Sequence, residues 1–178
     1  MSAALRPAAP GDISAITSIY ANAVKHGTAS FELQPPDEAE MLRRYRALID
    51  GGYPYLVAEL DGAVAGYAYA GPYRTRPAYH WSVEDSIYLD PKSQRRGIGR
   101  MLLDRLIAES TVRGFRQMIA VIGDSAQVPS IELHRAAGFR LVGSIENVGY
   151  KFGRWLDSVI MQRALGSGAT VAPESTKR

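Results

Sequence analysis

The stretch Asp90-Pro91-Lys92-Ser93-Gln94-Arg95-Arg96-Gly97-Ile98-Gly99 runs out of a β-prone segment, through a proline and two glycines, into a helical pattern. Glycines at such a junction let backbone N–H groups come close to a ligand. The helix N-terminus adds partial positive charge, so the stretch suits a phosphate or pyrophosphate. Lys92, Arg95, Arg96 and Arg100 add four positive charges to the same window. A dinucleotide fingerprint fails, because Leu102 stands where the third glycine should be, and a Walker A loop fails for want of any Gly-Lys dipeptide. A third pattern, Gln/Arg-x-x-Gly-x-Gly/Ala, is met by Gln94, Gly97 and Gly99. Taken alone, these six residues are equally a plain helix start with solvated arginines, and their surroundings decide.

Upstream, residues 80–89 alternate. Trp81, Val83, Ile87 and Leu89 share one face, and Ser82, Glu84, Ser86 and Tyr88 share the other, which puts Glu84 mid-strand among small polar neighbours. A loop with two prolines, residues 71–77, precedes it. Before that, residues 55–60 and 63–69 are β-prone runs joined by Asp61-Gly62, a hairpin signal. Two amphipathic helices open the chain. Asp12 is placed to cap the first, in which Ile13, Ile16, Ile19, Tyr20, Ala23 and Val24 recur, and Pro36-Asp37-Glu38 opens the second, stopped by Gly51-Gly52. The loop between them carries an isolated Phe31-Glu32 pair.

Downstream, Ile98, Met101, Leu102, Leu106 and Ile107 trace a helix that Gly114 ends. Residues 118–122 form a continuous apolar run, as expected of a strand buried on both faces. A polar loop, a helix over residues 129–137 and extended segments at 140–145 and 156–163 follow. A strand-helix-strand crossover requires a parallel pair. The antiparallel opening and this crossover together predict a mixed α/β sheet.

The chain has 178 residues, 46% hydrophobic and 22% charged, with a net charge of +3, so residues 1–165 read as one domain. Residues 166–178 are small and polar and read as a disordered tail. The absence of cysteine excludes a disulfide framework, a thiolate nucleophile, an iron–sulfur cluster and cysteine-ligated zinc. Three scattered histidines make no metal site. The first ten residues lack the apolar core of a signal peptide, and no apolar run approaches the roughly 18 residues of a membrane helix. The expectation is a soluble cytoplasmic protein with no membrane partner. The arginines concentrate at the glycine turn instead of spreading over a face with aromatics between them, so no nucleic-acid partner is expected.

With this element order, the glycine turn resembles the acyl-CoA pyrophosphate turn of the GCN5-related N-acetyltransferases. Residues 130–139 look like that superfamily's later helix before Gly-Phe, with His134 in place of its usual tyrosine. This substitution, with residues 82–89, 120–123 and 149–157, resembles the branch that acetylates phosphinothricin and methionine sulfone or sulfoximine. The similarity runs from about Leu5 to Leu165. It implies a GNAT fold: a mainly antiparallel mixed sheet containing a splayed parallel strand pair, flanked by helices. It further implies acetyl-CoA as acetyl donor, no metal, and a homodimer with acceptor sites near the interface.

On this resemblance Ile87, Tyr88 and Leu89 bond the pantetheine arm through their backbone, and Gln94, Arg95, Arg96, Gly97, Ile98, Gly99 and Arg100 hold the pyrophosphate. Glu84 stands where the family has a functional glutamate. It either takes the acceptor's proton or orients its ammonium; the residue pattern by itself fits a locally satisfied strand carboxylate equally well. His134 has the position of the family's acid, where it would bond the CoA sulfur or share base duty with Glu84; a packed or capping histidine is the other reading. Arg74 and Arg76 can offer bidentate donors to an anionic acceptor, and Phe31 and Tyr79 can wall its pocket. Gln127, where relatives commonly have Asn, and Thr75-Arg76-Pro77 depart from the pattern and bear on acceptor identity. With no cysteine, direct attack of a small amino-acid analogue's α-amine on the thioester is the expected route. The alternatives are another amine (a protein N-terminus, a polyamine or an aminoglycoside) and a non-catalytic acyl-CoA binder.

Overall fold

The structure is a computed structural model that describes residues 3–173. Seven strands form one sheet in the order β1-β2-β3-β4-β5-β7-β6. These are β1 (Ala4–Pro7), β2 (Tyr55–Leu60), β3 (Ala63–Pro72), β4 (Ser82–Leu89), β5 (Gln117–Gly123), β6 (Arg140–Lys151) and β7 (Arg154–Ala164). The helices are α1 (Ile13–His26), α2 (Glu38–Asp50), α3 (Ile98–Val112) and α4 (Val128–Ala136). All neighbouring strands pair antiparallel except β4 and β5, the two ends of the α3 crossover, which run parallel. This is the expected mixed α/β sheet, mainly antiparallel with one parallel pair.

The middle of the sheet, β2 to β4, is covered on both sides. Leu56, Ala58, Ala68, Val83 and Met118 pack beneath Leu102, Leu103 and Leu106 of α3. Through the other face, Tyr55, Val57 and Tyr67 pack beneath Ile16, Ile19 and Tyr20 of α1 and Met41 and Tyr45 of α2. The β2–β3 hairpin turns at Asp61-Gly62, both with positive φ (53° and 79°), as a two-residue hairpin turn requires. Asp37 caps α2 by accepting the Glu40 N–H at 2.8 Å.

Several expectations change. β1 carries no sequence signal, because four residues are too few to show a period. Asp12 occupies the N-cap position of α1 but does not bond its backbone. A short 3-10 turn (Pro10–Asp12) gives Asp12 helical dihedrals, so its carboxylate reaches backward to Arg6 at 2.7 and 2.8 Å and to the Ala9 N–H at 2.8 Å. The two final strands are one long hairpin: β6 continues past Ile145 through a bulge in which Asn147 takes a positive φ and donates its N–H to Asp157 at 3.0 Å. In β5, Val121 is 37% exposed, so that run is not buried on both faces throughout. Within the predicted tail, the Gly168 N–H bonds the Leu165 carbonyl and the Thr170 N–H that of Ser167, and residues 174–178 lie outside the described residues. No helix among the described residues is long and apolar enough to cross a membrane.

Candidate active site

The parallel pairing of β4 with β5 runs only from Ser82 opposite Gln117 to Asp85 opposite Ala120. Beyond that point the two strands part. β4 remains paired to β3 through Leu89, so the backbone of residues 86–89 is bare on its β5 side, with N–H and C=O groups that alternate along the strand. Of the residues expected to bond a pantetheine arm, Ile87 and Leu89 turn their N–H and C=O to this open edge, whereas Tyr88 alternates in step with Asp90, whose N–H bonds the Ala65 carbonyl, and turns its own to β3.

The chain then passes Asp90, whose side chain accepts the Lys92 N–H at 2.8 Å, and a short 3-10 turn (Pro91–Ser93) into α3. Gly97 is the N-cap of α3 with φ 79°, a left-handed conformation that favours glycine, and a Cβ there would meet open space. The first bond of the helical ladder is Met101 N–H to Gly97 C=O at 3.1 Å, so the N–H groups of Ile98, Gly99 and Arg100 precede it and point out of the helix end. Gln94, Arg95, Arg96 and Gly97 are exposed, whereas Ile98 is buried and anchors the turn to the core. Arg100 is exposed and bonds Asp104 at 2.7 Å. An amide-lined helix start, three exposed arginines and a bare strand edge fit the pyrophosphate and amide-rich arm of an acyl-CoA.

On the α1/α2 side of the fork lies a cavity of about 400 Å³, lined among others by Tyr20, Phe31, Glu32, Tyr69, Glu84, Ser86, Tyr88, Val121 and Ser158. Glu84 and Ser86 stand on its strand wall. Burial, then the adjacent Asp85 charge, raise the Glu84 carboxyl to about 7 against the opposing pull of Arg74. A carboxyl in that range can take a proton near neutral pH.

The opposite wall is residues 27–32, fixed from a distance. Lys151 is 4% exposed and donates to the carbonyls of Gly27 at 2.9 Å and Ser30 at 2.8 Å. Thr28 donates to buried Asp124 at 2.8 Å, and Arg154 bonds the same carboxylate. Phe31 is wedged against Gly149: a Cβ on that glycine would sit 2.4 Å from the ring. Tyr20 donates to Glu32 at 2.9 Å, and Arg44 of α2 donates to the same oxygen at 2.6 Å.

The structure thus brings Glu84 and Phe31 together in one pocket. Arg74 and Arg76 lie on the exposed loop before β4, Arg74 5.2 Å over the Tyr73 ring and Tyr79 edge-on to that ring at 5.7 Å. None of Arg74, Arg76 and Tyr79 lines the cavity. Nor does His134, which faces the other side of β4, buried, with both ring nitrogens engaged by Ser130 and Asp85. Glu32, Tyr69, Ser158 and the anchors Lys151 and Asp124 carried no local signal, since only the fold brings them to the site. Among the described residues, no cluster of three His, Cys, Asp or Glu could hold a metal.

The acetyltransferase (GNAT) domain matches residues 5–160. The phosphinothricin N-acetyltransferase of Alcaligenes faecalis is 52% identical over 92% of this chain and 83% of that protein. The L-methionine sulfoximine/L-methionine sulfone acetyltransferase of Salmonella typhimurium is 41% identical over 96% of this chain and 98% of its own. A GNAT superfamily phosphinothricin acetyltransferase from Sinorhizobium meliloti, crystallised with AcCoA, superposes with a TM-score of 0.96 at 50% identity, covering 98% of this chain and 95% of that one.

Proposed function

Because the chain belongs to the GNAT acetyltransferase family, we propose that it moves acetyl from acetyl-CoA to the α-amino group of a small amino-acid analogue of the phosphinothricin, methionine sulfone or methionine sulfoximine type. Acetyl-CoA supplies the acetyl as a thioester and departs as the thiol. The rest of the chemistry belongs to the chain.

One observation carries the reading: a carboxyl raised to about 7 stands on the strand that, three residues later, offers a bare backbone edge and then a glycine turn. Gln94, Arg95, Arg96, Gly97, Ile98, Gly99 and Arg100 hold the pyrophosphate through backbone amides and guanidinium groups, and Ile87 and Leu89 bond the pantetheine amides from the open edge. The acceptor enters as an ammonium, its α-amino group ionising near about 8. Glu84 orients that ammonium and takes one of its protons. The freed lone pair forms the N–C bond, the C–S bond breaks, and the nitrogen's second proton passes through water to the departing thiolate, leaving a neutral amide and the thiol. Backbone N–H groups of β4 at the fork are placed to stabilise charge on the thioester oxygen.

Arg74, whose charge is felt at Glu84, meets the acceptor's anionic group, with Arg76 and Tyr79 beside it on the same loop and Phe31 closing the far wall. The protein works in the cytoplasm as a homodimer. What supports the dimer is the outer strand β6 and its partner β7, where Leu141, Val142, Ile145, Val148, Tyr150 and Trp155 are each more than half exposed. This scheme gives no place to a metal, a nucleic acid or a membrane. The test is thiol release from acetyl-CoA across phosphinothricin, methionine sulfone and methionine sulfoximine. Saturable release with at least one acceptor is expected, and no release with any of them overturns the acceptor assignment.

A further inference from the structure

Across β4 from the acceptor pocket, His134 of α4 and Asp85 of β4 form a pair that is almost sealed from solvent, at 4% and 6% exposure. His134 Nδ1 lies 2.7 Å from the Ser130 carbonyl oxygen, and Nε2 lies 2.9 Å from Asp85 Oδ2. A carbonyl has no hydrogen to give, so Nδ1 must carry a proton and donate it. A neutral ring protonated there leaves a lone pair on Nε2, which cannot face a carboxylate oxygen at 2.9 Å. A second proton therefore sits in that contact. Imidazole is more basic than a carboxylate by about 2.6 units, so the ring holds it. Asp85 Oδ1 is buried with no hydrogen-bond partner, which leaves the imidazolium as the group that compensates this carboxylate among the described residues.

Asp85 is also the sequence neighbour of Glu84 and aims at the opposite face of the same strand. We propose that His134 is a positioning residue of the acetyl transfer: its imidazolium neutralises Asp85 across the strand from Glu84 and so sets the pH at which Glu84 becomes able to take the acceptor's proton. The inference rests on the reading of Glu84 as proton acceptor. It also gives His134 a role without contact with the CoA sulfur, since neither ring nitrogen is free to reach it.

The other charges around the two groups do not substitute for this one. Glu84 faces Arg74 from the preceding loop and Tyr69 from β3, while Glu32 across the cavity is already engaged by Arg44 of α2. Around His134, Phe139 presents a ring edge at 5.0 Å. Arg163 of β7 bonds the Ala137 carbonyl, and Glu132 and Arg135 pair with each other on the exposed side of α4. Burial opposes the charged ring, but the Asp85 bond and charge prevail and hold His134 above its ordinary range. Without that positive charge, an uncompensated Asp85 adds to the burial that already raises Glu84, and less of the base is ionised at neutral pH.

Two experiments test this. In nitrogen-15 spectra of the unaltered protein, both ring nitrogens of His134 should read as protonated at neutral pH; a ring that is neutral there overturns the proposal. In pH profiles of kcat/KM, His134→Gln should move the acid limb upward by about one unit and Asp85→Asn should move it downward. In the Asp85→Asn background, His134→Gln should then shift nothing further. An equal loss from His134→Gln at every pH in both backgrounds would mean that the histidine acts on the reacting atoms or only on folding, and would overturn it. If Glu84→Gln leaves the acid limb in place, the base reading itself fails, whatever the ring spectra say.

Discussion

The donor turn and the acceptor pocket meet at β4 but are made in opposite ways. The donor side is local: residues 86–100 supply a bare strand edge, a left-handed Gly97 and the open N-terminus of α3, and most of what they offer is backbone. The acceptor side is assembled from α1, the loop after it, β3, β4, β5 and β7. Its wall at residues 27–32 is held by Lys151 and Asp124, roughly a hundred or more positions away in the chain. A backbone-made site tolerates side-chain change wherever the conformation survives. A side-chain-made site depends on anchors that never touch the substrate. This difference predicts that substitutions on the two sides separate cleanly in their kinetics.

The sharpest break is expected at the junction itself. Glu84→Gln should lower kcat by on the order of 10² to 10⁴ while leaving acetyl-CoA binding by calorimetry unchanged. Next comes Gly149→Ala, whose methyl would lie 2.4 Å from Phe31. It should raise the acceptor KM by roughly tenfold to a hundredfold with the acetyl-CoA KM unmoved, because small displacements of a positioning wall are costly. Lys151→Met leaves two buried carbonyls without their donor and should cost about 1 to 3 kcal/mol, read as a lower Tm with a weakened acceptor KM. On the donor side, Gly97→Ala forces a Cβ into φ 79° and should cost roughly 1 to 2 kcal/mol. Its kinetic effect should fall on the acetyl-CoA KM alone. The smallest effect belongs to Asp104→Ala, which removes an exposed pair with Arg100 and should change stability by about 0.5 kcal/mol or less.

The same contrast explains what could be read in the sequence. Gln94, Gly97 and Gly99 declare a phosphate turn because the needed features are consecutive, and Asp61-Gly62 declares its hairpin for the same reason. Glu84 could be placed mid-strand by alternation, but its raised pKa comes from burial under a loop whose position is set by Lys151. His134 stood in the right helix, yet its partner is fixed by the register of β4, which puts Asp85 on the face opposite Glu84. β1 and the bulge at Asn147 were illegible because one is too short to show a period and the other interrupts it, its extra backbone donor being satisfied by Asp157.

The central claim is that Glu84, held near neutrality by burial, accepts the acceptor's proton. It is tested most directly by the pH dependence of kcat/KM with phosphinothricin at saturating acetyl-CoA. The carboxyl is protonated below its pKa and idle there, so activity should rise tenfold per pH unit and level off through about pH 7, and Glu84→Gln should erase that limb. A profile flat from pH 5 to 8, or a limb that survives in Glu84→Gln, would contradict the account.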